Sequence, residues 1–209
     1  MGIAERKQRE KELRRAQIIE AARKVFSTKG FNTATMEEIA AQAELSPGTL
    51  YLYFKNKEEL HTSLSIEILE HLTREVKKVV AKDISVEEKL DQLKHVFIDV
   101  YEYDSMILIN LFHLQSGETL RNLSPEVLKQ LKRTSSEAHG AIIEVIKEGI
   151  DKEIFIDEHP VALADVVWAT FSGVVLWVDS KRFLNNKKDF VTSTLKTAFT
   201  VIANGLRRQ

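Results

Sequence analysis

Apolar residues recur at steps of three and four along almost the whole chain, while residues that interrupt helices are scarce: three prolines and eight glycines among 209. A hydrophobic period of 3.6 puts one apolar stripe on each helix, and no stretch sustains the period of two that a half-buried strand needs. With so few turn-forming residues the chain is expected to be all-α, built from about nine long helices rather than many short strands. At this length it can bury a real core and suits one small helical module followed by a larger one.

The local punctuation divides the pattern. Ile18, Ile19, Ala22, Val25 and Phe26 place a first helix over about 11–28, closed by Lys29-Gly30. Thr35 can cap a second helix, with Glu37 and Glu38 in its first turn. Ser46 precedes Pro47, whose missing N–H costs nothing at the first position of a third, short helix. Leu50 and Phe54 point one way and close a small core. A fourth helix runs from about 56 to 80 through Leu60, Leu64, Ile68 and Leu72. Further helices are expected at 86–103, 105–116, 124–150, 160–181 and 187–207, two of them opened by Ser124-Pro125 and by Pro160.

Composition removes several classes of function. There is no cysteine, so disulfides, thiolate metal sites and cysteine nucleophiles are excluded. The six histidines lack paired metal spacing. No glycine-rich phosphate loop, nucleophile elbow or paired catalytic spacing is present, so neither an enzyme nor a resident cofactor is expected. Residues 1–15 are charged and lack the apolar core of a signal peptide. Residues 161–178 are apolar enough to consider as a membrane span, but Asp165, Thr170, Ser172 and Gly173 interrupt them. They are expected to form a covered helix of a cytoplasmic protein. The net charge of −1 is uneven: eleven basic and seven acidic residues through Lys57 give the head +4, and the remainder carries −5. A basic head suits a polyanion.

Three helices with a short connection between the second and third have helix-turn-helix geometry, here over about 35–54. In such a motif the second helix crosses the DNA backbone and the third enters the major groove. The third helix begins with the small groups Pro47, Gly48 and Thr49, which permit close approach, and Thr49 offers both a hydroxyl and a methyl to base edges. Tyr51 and Tyr53 add aromatic bodies with polar tips. Lys57 lies at the start of the fourth helix, where ammonium charge and backbone N–H groups both favour a phosphate. Thr35 and Ser46 serve as caps and as further phosphate contacts.

The residues Ala22, Phe26, Gly30 and Phe31, then Thr35, Ile39 and Ala40, then Ser46, Gly48, Thr49, Leu50, Tyr51 and Phe54, then Lys57, Glu58 and Leu60 closely resemble the signature of the TetR/AcrR family. The resemblance covers about 17–60. It implies a homodimeric transcription regulator, most often a repressor, with a DNA-binding domain (12–72) and an effector-binding and dimerisation domain (73–209). One departure stands in the turn before the third helix, where the family commonly has glycine and this chain has Glu44. A left-handed backbone there would cost glutamate on the order of 1 kcal/mol.

The C-terminal part resembles the family only loosely, through Gly149, Phe155, Pro160, Ala164 and Gly173; Glu153-Ile154 stands where the family often has glycine. Helices 160–181 and 187–207 are expected to pair with their copies in a four-helix dimer interface. Phe97, Tyr101, Tyr103, Met106, Phe112, His113, Trp168 and Phe171 are the candidate walls of a pocket for a small lipophilic or aromatic effector. Operator DNA, a second copy and that effector are thus the expected partners. The rival expectation is an interaction module whose DNA-binding function has been lost, against which the intact run Gly48-Thr49-Leu50-Tyr51 argues.

Overall fold

The computed structural model describes residues 2–114, 119–182 and 190–208. Among them stand nine α-helices: α1 (Ile3–Lys29), α2 (Met36–Gln42), α3 (Pro47–Tyr51), α4 (Lys57–Val80), α5 (Val86–Tyr103), α6 (Ser105–Leu114), α7 (Pro125–Asp151), α8 (Pro160–Arg182) and α9 (Val191–Leu206). A 3-10 turn occupies Thr119–Asn122, and no strand forms among the described residues beyond one isolated bridge, Phe155 to Arg207. The all-α expectation holds. Packing gathers the chain into two units, Met1–Ile66 with Leu114–Gln130, and Glu67–His113 with Leu131–Gln209.

In the first unit, α1, α2 and α3 close around Ile18, Ala22, Phe26, Ile39, Ala40, Leu50 and Phe54, with Leu60 and Leu64 from α4. Burying each of the larger side chains contributes roughly 1.5–3 kcal/mol. The Arg15 guanidinium lies 4.9 Å from the Phe54 ring centre, and the rings of Phe26, Phe31 and His61 meet edge to face or tilted at 4.7–5.6 Å. Helix α1 begins at Ile3, well before the position expected from its apolar stripe. The extension has no buried face; pairs four apart, Arg6–Glu10 and Gln8–Glu12, span its turns instead.

In the second unit, α9 packs against α5 and α8. Its aromatic centre is a chain of contacts: Phe97 to Phe171 at 4.4 Å, Phe97 to Phe199 at 5.5 Å, and Phe112 to Phe171 at 5.5 Å and to Trp168 at 5.9 Å. Just past the end of α7, Glu153 takes a φ of +57° that lets the chain reverse. The Phe155 ring then lies so close to Gly149 that a β-carbon there would stand 2.1 Å from it. Backbone bonds from Ile156 N to Leu206 O (2.8 Å) and Arg208 N to Ile154 O (2.9 Å) fasten this reversal to the end of α9.

Helix α8 is only partly covered within a single chain. Its apolar sequence predicts a covered helix that pairs with its copy, and within one chain 28% of its most apolar stretch is buried. Val166 and Trp177 are exposed on it, together with Ala162, Ala169 and Gly173. The spacing 162, 166, 169, 173, 177 is that of one helix face, so an apolar stripe faces outward. Residues 187–189, expected to begin the last helix, lie outside the described residues.

Candidate nucleic-acid interface

Four small polar devices shape the surface around α3. Thr35 and Glu38 form a reciprocal cap: Glu38 N donates to Thr35 Oγ1 (3.2 Å) and Thr35 N to Glu38 Oε2 (3.1 Å). Lys29 Nζ donates to Glu38 Oε1 at 2.6 Å, and this hydrogen bond holds the carboxyl below its ordinary range. Glu44 then takes φ +57°, the left-handed backbone whose cost to glutamate was considered for this turn, and Leu45 N donates back to Ala40 O at 2.9 Å. Gln17 Nε2 donates to Ala43 O (2.9 Å), fixing that turn to α1.

Ser46 caps α3. Its Oγ accepts from Thr49 N (3.1 Å) and shares a hydrogen bond with Thr49 Oγ1 (2.9 Å). Leu50 is fully buried, so the opposite face of this short helix is presented outward. Pro47 and Gly48 are exposed, Tyr51 is 49% exposed and Leu52, just past the helix, 81%. Leu52 was missed in the sequence; standing two residues from Leu50 and two from Phe54, both inward, it had to point away. Thr49 and Tyr53 are half-buried. The structure thus brings Thr35, Ser46, Pro47, Gly48, Thr49, Tyr51 and Tyr53 into the first unit's helix-turn-helix.

Lys57 has a second employment. Its Nζ donates to Asn32 O (3.2 Å) and Ala34 O (3.0 Å) and lies 4.7 Å from the Phe31 ring centre. The ammonium therefore clamps the link between α1 and α2. At the start of α4, Asn56 Oδ1 accepts from Glu59 N (2.8 Å), and Glu59 Oε2 accepts from Lys55 N (2.7 Å).

Residues 18–64 match the model of the bacterial regulatory proteins of the tetR family. It is this segment, the helix-turn-helix of the first unit, that is similar to the tetR family. The relatives with which the chain compares are regulators of transcription, not enzymes. Among its relatives, the fatty acid metabolism regulator protein of Bacillus subtilis is 33% identical over 115 residues, covering 54% of this chain but only 59% of that protein. The transcriptional activator FasR of Mycolicibacterium smegmatis is 27% identical over 176 residues, 84% of this chain and 74% of the relative. The crystal structure of the regulator FadR from Bacillus subtilis in complex with stearoyl-CoA superposes with a TM-score of 0.69 at 22% identity, over 92% of this chain and 99% of that one. At that identity the likeness establishes the fold.

The expected effector walls divide. Phe97, Tyr101, Phe112 and Phe171 are buried and Trp168 is half-buried. Phe97, Phe112, Trp168 and Phe171 meet ring against ring. Tyr103 and Met106 are exposed, and Tyr103 lies against His71 at 5.0 Å. The His113 side chain lies outside the described residues. A cleft of about 570 Å³ in this unit opens elsewhere, between α5 and α9, over Leu90, Phe155 and Phe199, with Glu87, Lys94 and Arg207 at its edge.

Proposed function

We propose that the chain is a homodimeric repressor of the cytoplasm that holds a palindromic operator with α3 of each subunit and leaves it when a lipophilic effector binds. In this assignment residues 12–72 form the DNA-binding domain and 73–209 the effector-binding and dimerisation domain. The single observation that carries it is the surface of α3. Gly48 and Tyr51 stand outward on a helix whose one buried residue, Leu50, already meets the needs of the fold, and Leu52 stands outward just past it. Small groups at the helix start admit close approach to base edges, an exposed Leu suits a thymine methyl, and Tyr51 and Tyr53 suit phosphate or base.

The outward stripe of α8, with Val201 exposed on α9, supports a second copy as partner. Two recognition helices entering successive major grooves need centres about 34–36 Å apart, hence a palindromic site. For the effector, the relative crystallised with stearoyl-CoA supports a long-chain acyl thioester. The touching rings of Phe97 and Phe171 leave no room between them, so an acyl chain entering there must part them. An effector with higher affinity for the parted form shifts the population, by no more than its difference in affinity for the two forms.

The test is a titration of a labelled fragment from upstream of the chain's own gene, with an unrelated fragment and a Tyr51→Ala variant alongside. Tight, salt-sensitive binding confined to the first fragment, lost in the variant and released by stearoyl-CoA, is the expected result. Equal affinity for both fragments overturns the proposal.

A further inference from the structure

We infer that the N-terminal half of α1 carries a second DNA contact, in which Lys7, Lys11 and Arg14 grip phosphates beside the groove read by α3; the inference rests on the DNA-binding function proposed above. Residues 7, 11 and 14 are spaced four and three apart, which places them on one face of a continuous helix. That face walls a groove of about 570 Å³ whose far wall is Tyr53, the residue just beyond α3 and its cap. Gln17 closes the groove and joins it to the recognition motif: its Nε2 holds Ala43 O in the α2–α3 turn at 2.9 Å, while its Oε1 accepts from Arg14 Nη1 at 3.0 Å.

Charge identifies the occupant. The one acidic residue on the groove, Glu10, accepts from Arg6 Nε at 3.0 Å. Lys7 and Lys11 are exposed and make no ion pair among the described residues, and Arg14 spends one N–H on a neutral amide. From Lys7 to Arg14 the helix rises roughly 10 Å. A DNA strand advances about 3.4 Å per phosphate, so the stripe spans about three phosphates. Exposed cations contacting phosphates lose little hydration and act through counterion release. They carry no base information, so they raise affinity for any duplex by the same factor.

The test compares the full chain with a Lys7→Gln/Lys11→Gln/Arg14→Gln variant, on the upstream fragment and on an unrelated duplex, across a potassium chloride series. Each phosphate contact contributes about 0.9 to the slope of log affinity against log salt. The variant is expected to lose about two to three from that slope on both duplexes. Its low-salt affinity should fall at least tenfold on both, with the ratio between duplexes and the thermal midpoint unchanged. A Lys7→Arg/Lys11→Arg/Arg14→Lys variant should keep the wild-type slope, because charge and not shape is at work. Should the triple variant lose helicity, single Lys11→Gln decides the matter in its place, with an expected loss of about one from the slope. Unchanged slopes on both duplexes overturn the inference. Wild-type protein that fails to prefer the upstream fragment contradicts the regulator proposal instead, and the slopes on the unrelated duplex still decide the stripe.

Discussion

A methyl group added at Gly48 would meet nothing nearer than Ser46 Oγ at 3.9 Å, and the residue does not have the positive φ that favours glycine. The fold has no use for a glycine there. Gly48→Ala should therefore leave stability unchanged or raise it, by up to about 1 kcal/mol from helix propensity. Against DNA the added methyl occupies the approach to the bases, and operator affinity should fall at least tenfold. Thermal melting and DNA titration on one sample check both halves; unaltered affinity would contradict the role given to this residue. Glu44 and Glu153 present the opposite case, each with φ +57° where glycine carries no penalty. Glu44→Gly and Glu153→Gly should each add about 0.5–1 kcal/mol by denaturant melting, the left-handed strain relieved being partly offset by the entropy glycine gains when unfolded.

Glu148 has a pH consequence. Its carboxylate accepts from Lys152 Nζ at 2.6 Å and from the buried Lys89 Nζ at 2.7 Å, and these two hydrogen bonds hold its pKa below the ordinary value. A depressed carboxylate stabilises the fold above its unfolded pKa and loses that contribution as pH falls through the folded one. Glu148→Gln should cost about 2–3 kcal/mol at neutral pH, less than breaking a fully buried pair because Glu148 is partly exposed. It should also flatten the decline of stability below the ordinary carboxylate range. Urea melts of both proteins from neutral to acid pH check this; parallel curves would contradict it.

Among the elements, those announced by local chemistry were legible beforehand. Thr35 with Glu38, Ser46 with Pro47, Ser124 with Pro125, and Pro160 mark helix starts because capping involves only neighbours in sequence. Thr35→Ala should accordingly cost about 1 kcal/mol by melting. The left-handed backbone at Glu44 was suggested only by the glycine common at that place in the resembled family, because glutamate itself does not announce one. The extension of α1 to Ile3 was not, because pairs such as Arg6–Glu10 support a helix without any apolar stripe to announce it. Nor was the fate of the aromatic residues. Tyr103 and Met106 share the composition of Phe97 and Phe112, but which of them meet across helices is set by packing between elements distant in sequence. The same limit applies to α8: its apolarity was plain, while the side left uncovered depended on where α9 lies.

For the whole molecule, the proposed dimer gives the outward stripe of α8 to a second copy. Trp177→Glu, which places a charge on that stripe, should give a monomer in sedimentation at micromolar concentration with little change in thermal midpoint of the isolated subunit. Operator affinity should fall at least a hundredfold, since two half-sites no longer bind as one. A wild-type monomer under those conditions would remove the dimer. Operator reading by paired α3 helices is tested most directly by a hydroxyl-radical footprint of wild-type and Tyr51→Ala protein on the upstream fragment. Two symmetric protected half-sites are expected, their centres one helical turn, or a whole number of turns, apart, and both lost in the variant. Diffuse protection along the fragment, or half-sites that survive Tyr51→Ala, would contradict it.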